Sequence, residues 1–114
     1  MIVRCWRGRT TADNAPRYRA HLLDHVVPAL RGIPGFQGAR LLQRPHGAGV
    51  EVLVMTEWAS MAAIRAFAGD TPDVAVVEPE ARAVLDDFDR HVEHFDLLDD
   101  VGETGPRATA PPTS

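Results

Sequence analysis

Residues 50–67, VEVLVMTEWASMAAIRAF, change their hydrophobic period once, and that change restricts the fold more than any other feature of the chain. As far as Trp58 the residues alternate. Val50, Val52, Val54, Thr56 and Trp58 share one face, and Glu51, Leu53, Met55 and Glu57 share the other. Beyond Ser60, a residue suited to capping a helix, Ile64, Phe67 and Ala68 recur at helical spacing until Gly69 stops the run. A strand therefore passes directly into an amphipathic helix, and both need a second layer to cover them.

The same reading extends in both directions. Ile2–Gly8 alternates as a first strand. Thr11 or Asp13 can cap the helix that follows, Pro16 suits its first turn, and Tyr18, Leu22, Val26 and Ala29 form its stripe. Pro28 lacks an amide donor and predicts a kink or stop. After the turn GIPGF come a second strand, Phe36–Arg44, the hairpin loop PHGAG, and the strand and helix already described. An excursion broken at Pro72 and Pro79 leads to a fourth strand, Arg90–Leu98. The order β-α-β-β-α-β is an α+β, ferredoxin-like arrangement: a four-stranded antiparallel sheet with both helices on one face. It predicts one domain over residues 1–98, and a flexible C-terminal tail over 99–114, where large apolar residues are nearly absent.

In a two-layer fold the outer sheet face should be polar. Here Leu53 and Met55, with Leu41, Ala39 and Phe95 assigned beside them, keep that face apolar. A second sheet would cover it, and in a chain of 114 residues that sheet has to come from a second copy, which predicts a homodimer. No apolar run reaches the roughly 18 residues of a membrane span. The net charge of −4 and the scattered acids give no nucleic-acid face. The single cysteine, Cys5, excludes an internal disulfide and reads as a small core residue, which fits a cytoplasmic protein.

The segments GFQGARLLQRP, EVLVMTEWASMAAIRAFAG and HVEHFDLL resemble the antibiotic-biosynthesis-monooxygenase domain of the dimeric α/β-barrel superfamily over about residues 1–98. The resemblance implies a dimer with a barrel between the sheets and a small pocket between sheet and helices in each protomer. It also implies one of several activities: oxidation of polyphenolic polyketide intermediates or quinols by O₂, or binding and degradation of heme. Heme degraders of this group use a strand-one Asn, a helix-two Trp and a His ten residues later. Here strand one has no Asn, Phe67 takes the Trp position and Val77 takes the His position. Quinone-forming members use an Asn, Trp, Tyr and Arg set. Trp58 matches the Trp, while the only Asn is Asn14 and the only Tyr is Tyr18 on the first helix. The expectation is therefore a cofactor-independent monooxygenase acting on a small aromatic, polyketide-like or quinol ligand, with no metal. The alternative is a non-catalytic dimeric ligand-binding or stress-associated barrel.

Such chemistry needs a dry aromatic pocket, a base and a cationic partner. Trp6, Trp58 and Phe67 can supply the wall, or serve as packing. His94 shares parity with Val92 on the inward face and is the candidate base or anchor; His91, three residues earlier, faces the other way. Arg4 and Arg40, within strands, can stabilise a phenolate or carboxylate, or pair with Glu51, Glu57, Glu93 or Asp96. His21 and His25 stand at i and i+4, a spacing able to clamp a metal, but no third ligand is evident. The two functional readings separate on whether Arg4, Arg40 and His94 face an enclosed cavity, and on whether a cavity above roughly 300 Å³ exists.

Overall fold

The computed structural model describes residues 1–103 and 105–106. Its centre is an antiparallel sheet in the order β2-β3-β1, formed by β1 (Ile2–Thr10), β2 (Phe36–His46) and β3 (Gly49–Trp58). Two short strands, β4 (Asp87–Phe88) and β5 (Glu93–Asp96), both pair with the free edge of β1. This is the ferredoxin-like α+β arrangement expected, with helices on one side.

The fourth strand, expected as one run over Arg90–Leu98, is split. Asp89 donates its amide to the carbonyl of Arg7, but the chain then turns aside. His91 bridges to Val74, and the Val92 amide donates to the carbonyl of Asp73, at 2.8 Å. Pairing resumes at Glu93 opposite Cys5. The detour stitches the 72–74 loop against the sheet edge.

A second departure lies in β2. Phe36 pairs with Trp58 and Gly38 with Glu57, leaving Gln37 as an extra residue. The bulge turns Ala39 and Leu41 opposite Thr56 and Val54, on the helix side. Their assignment to the outer face was wrong by this one residue, since each slip in a strand reverses every side chain. Leu53, Met55 and Phe95 do lie outward with Leu42, and Phe95 is 53% and Leu42 45% exposed.

The first helical run has three parts: α1 (Ala15–His21), a π-turn over Leu22–Val26, and α2 (Val27–Arg31). Pro28 does not stop it. A proline cannot donate to the carbonyl four residues earlier, and the preceding wide turn absorbs that mismatch. The next helix, α3 (Met61–Ala68), is capped by Ser60, whose Oγ accepts from the Ala63 amide at 3.2 Å, and it ends at Gly69 with φ 79°. It packs tightly: a Cβ on Gly35, where φ is 95°, would lie 2.6 Å from the Ala63 Cβ. A final short helix is α4 (Pro79–Arg82).

Between sheet and helices lie two apolar clusters. One gathers Tyr18, Leu22, Val52, Val54 and Ala81; the other gathers Leu30, Trp58, Ala63 and Ile64. Each fully buried large side chain here contributes about 1.5–3 kcal/mol. Of the expected 99–114 tail, β6 (Val101–Gly102) pairs with β7 (Gly105–Pro106), and the remainder beyond residue 106 lies outside the described residues. Among the described residues no helix is long and apolar enough to cross a membrane.

Candidate functional site

The register of β1 decides what the helices cover. Arg4 faces Thr56 on one neighbour and His94 on the other, and Trp6 faces Val54, so all five side chains point toward the helices. Arg4 is only 5% exposed. Among the described residues it makes no ion pair with a carboxylate. Its Nη1 donates to the carbonyl of Pro72 and lies 3.1 Å from His94 Nε2, and its Nη2 donates to the carbonyl of Val74 at 3.2 Å. The guanidinium carbon stands 5.6 Å from the centre of the Phe67 ring. Burial lowers the Arg4 pKa, and Asp73 nearby acts in the opposite direction. An arginine nonetheless stays charged. The result is a buried cation held by carbonyls and an imidazole, with its charge unneutralised by direct contact.

Arg4 forms part of the floor of a narrow groove of about 60 Å³, walled by Trp6, Tyr18, Leu22, Val54 and Phe67. The groove is continuous in its lining with a wider hollow of about 340 Å³: Val26, Leu30, Phe67 and Glu78 border both. The hollow's remaining wall includes His21 and His25. These two rings lie 5.7 Å apart at 39°, and His21 Nε2 is 3.4 Å from Glu78 Oε2. The imidazoles thus enter the cleft from the end of α1 and from the π-turn, opposite the sheet.

The expected aromatic residues divide by depth. Phe67 is the wall itself. Trp58 is fully buried behind it, stacked on the Phe67 ring at 5.8 Å and 22°, with its Nε1 donating to Thr56 Oγ1 at 2.8 Å. Trp6 lines the groove and donates its Nε1 to the carbonyl of Asp89 at 2.8 Å. His94 stands beside Arg4 and borders neither groove nor hollow. Burial, then the Arg4 charge, lower its pKa, against the pull of Asp73. Arg40 is not brought to this cleft. It is more than half exposed, 3.7 Å from Glu57, and borders a separate hollow of about 310 Å³ along β2.

Tyr18 is the residue that sequence reasoning passed over. It is 4% exposed, lines the groove beside Trp6 with ring centres 6.1 Å apart, and burial pushes its phenol pKa up, with Glu78 adding to the rise. Its place on the helical stripe with Leu22 and Val26 was the available signal, because the stripe that packs the core also walls the groove. Val77, the position examined for an imidazole, is half-buried against the cluster of Tyr18 and Ala81 and borders neither cavity. Among the described residues no group of three or more side chains could hold a bare metal ion.

The family model for antibiotic biosynthesis monooxygenase matches residues 1–75. No curated protein matches. Among solved structures, a MhuD point variant with two manganese protoporphyrin IX molecules bound per active site is similar at 25% identity and a TM-score of 0.63, over 90% of this chain and 99% of that one. The heme-degrader MhuD from Mycobacterium tuberculosis, with two hemes bound in its active site, is similar at 24% identity and a TM-score of 0.57, over 90% and 100%. Rv0793 from Mycobacterium tuberculosis follows at 20% and 0.54, over 89% and 98%. These porphyrin-bound structures overturn the expectation that no cofactor is involved, because relatives of this fold bind heme. That expectation rested on the missing strand-one Asn, on Phe67 at the Trp position and on Val77 at the His position; Val77 packs against the core, while the cleft's imidazoles come from the first helical run.

Proposed function

The chain belongs to the antibiotic biosynthesis monooxygenase family, and on that premise we propose that it is a monooxygenase-type protein whose ligand is a flat metalloporphyrin of the heme class, held between the sheet and the first helical run. One observation carries this reading: groove and hollow share Val26, Leu30, Phe67 and Glu78, so an apolar slot, a buried guanidinium and two imidazoles lie along one surface. The hollow exceeds the roughly 300 Å³ at which ligand pockets begin.

The residues present suit such a group by their chemistry. The face of a porphyrin is apolar and aromatic, and Phe67, backed by Trp58, offers a flat wall. Its propionates are anionic, and Arg4 is a buried cation with no carboxylate partner among the described residues. Its iron needs an imidazole, and His21 and His25 stand on the cleft. Bound there, a heme supplies the iron at which O₂ is activated. The chain's own part is to orient the ligand and keep water out. Arg4 fixes the anionic edge. His94 is a positioning residue in this reading, since it accepts a hydrogen bond from Arg4 and holds the guanidinium in place. Trp6 and Tyr18 close the inner end.

The functional unit in this reading is a homodimer, supported by the exposed apolar residues of the outer sheet face. A cytoplasmic setting is supported by the single buried cysteine.

The test is a titration with ferric heme and with metal-free protoporphyrin IX, following quenching of tryptophan emission, which Trp6 reports from the groove. Quenching by both at micromolar concentration is expected. Quenching by neither would remove the porphyrin reading. Oxygen uptake with heme and a reductant then separates turnover from binding alone.

A further inference from the structure

We propose that His25 is the axial iron ligand of this site, contributed by the π-turn of the first helical run, with His21 and Glu78 as its supporting pair. This rests on the porphyrin reading above and names the atom donor within it.

A bare cation needs several protein ligands, and no such cluster exists among the described residues. An iron already held in a porphyrin ring brings its equatorial nitrogens and asks the protein for one imidazole. The hollow offers two, in unequal states. His21 Nε2, the outward tip of that ring, is turned to Glu78 Oε2 at 3.4 Å. His25 has no hydrogen-bond or ion-pair partner among the described residues, and its ring stands 5.7 Å from that of His21. The free imidazole is therefore His25.

The backbone explains why the two rings meet. His21 is the residue before the π-turn and His25 lies within it. Residues four apart lie on one face of a helical run, and both rings border the hollow. His21, held by Glu78, packs against the His25 ring and limits the directions it can take. Ligand imidazoles are usually oriented by a hydrogen bond from their other ring nitrogen; for His25 the ring contact with His21 takes that part. Glu78 also borders the groove, so it links the ligand wall to the inner end of the cleft.

The experiment compares the full chain with its His25→Ala, His21→Ala and Glu78→Gln variants. Each is titrated with ferric heme and, separately, with metal-free protoporphyrin IX, reading the Soret band, the ferric spin state and tryptophan quenching. His25→Ala is expected to lose the imidazole-ligated spectrum, to bind ferric heme about tenfold more weakly, and to regain the spectrum with free imidazole. Its quenching by metal-free protoporphyrin should match wild type, because that ligand has no iron to coordinate. His21→Ala and Glu78→Gln should keep the ligated spectrum with a smaller loss of affinity. An unchanged spectrum in His25→Ala overturns the assignment, as does loss of ligation in His21→Ala with His25→Ala unaffected. In both of those outcomes the porphyrin reading survives. If neither ferric heme nor metal-free protoporphyrin binds wild type, the porphyrin reading itself falls.

Discussion

Arg4 and His94 lie directly opposite each other on β1 and β5, with Arg4 Nη1 3.1 Å from His94 Nε2. A guanidinium only donates, so Nε2 is the acceptor and the ring proton sits on Nδ1, 3.3 Å from Asp73 Oδ1. The imidazole is thereby held neutral between a cation and a carboxylate, and its lone pair is already engaged.

That arrangement makes stability depend on pH in a definite direction. Burial and then Arg4 hold the folded His94 pKa below its ordinary value. Above the unfolded pKa of about 6.5 both states are neutral and stability is undiminished. As pH falls below that value the unfolded chain gains a proton that the folded chain resists, and stability drops until the folded group titrates too. Chemical denaturation midpoints at pH 7.5 and 5.5 should show a loss on acidification that shrinks in His94→Gln. An equal loss in the variant would sink the assignment.

Replacing Arg4 by Leu should remove both a ligand cation and a loop anchor. The carbonyls of Pro72 and Val74 lose their donor, at a cost of about 2–4 kcal/mol. Arg4→Lys keeps the charge but not the forked donors, so it should recover only part of the stability. Urea melts of the two variants make the comparison, and equal stabilities would contradict it.

Phe67 and Trp58 should respond differently to truncation. Phe67→Ala strips the half-buried wall and is expected to weaken porphyrin binding roughly tenfold, with a loss of about 1–2 kcal/mol in stability. Trp58→Phe leaves the wall in place but opens a void and removes the donor to Thr56 Oγ1. About 2–3 kcal/mol of stability should go, with affinity within about twofold of wild type. Binding losses of equal size would mean that Trp58 meets the ligand directly.

The outer sheet face carries the dimer prediction. Leu42→Glu combined with Phe95→Glu should shift sedimentation from a dimer mass to a monomer mass at micromolar concentration, because it places charge on an apolar contact. A wild-type monomer under those conditions would remove the homodimer from the functional reading.

The element order and the two faces of β3 were legible in the sequence because strand and helix periods there are strong and uninterrupted. Trp58 was legible as an anchor for the same reason. Three local irregularities were not. Gln37 adds one residue to β2 and reverses Ala39 and Leu41, yet nothing in FQGARLLQR marks a bulge except a glycine. The last strand breaks because residues 91 and 92 pair with the 73–74 loop, a long-range competition that no local pattern encodes. Arg4 was expected to need a carboxylate or a ligand, but backbone carbonyls of that same loop hold it. The candidate site suffered most from these effects. His21 and His25 were noted for their spacing, which puts them on one helix face, but only the folded chain brings Phe67 and Glu78 across from them to make a cleft.

Pro28 also makes the wide turn at Leu22–Val26 hard to undo. Deleting one residue there would restore ordinary helical spacing in number, but it would bring the proline ring against a carbonyl it cannot satisfy. The simpler conformation is thus disfavoured by about 3 kcal/mol through covalent structure. A ligand entering the cleft would meet a backbone that already presents both imidazoles on one wall, and the entropy of ordering that backbone would have been lost when the protein folded, before any encounter.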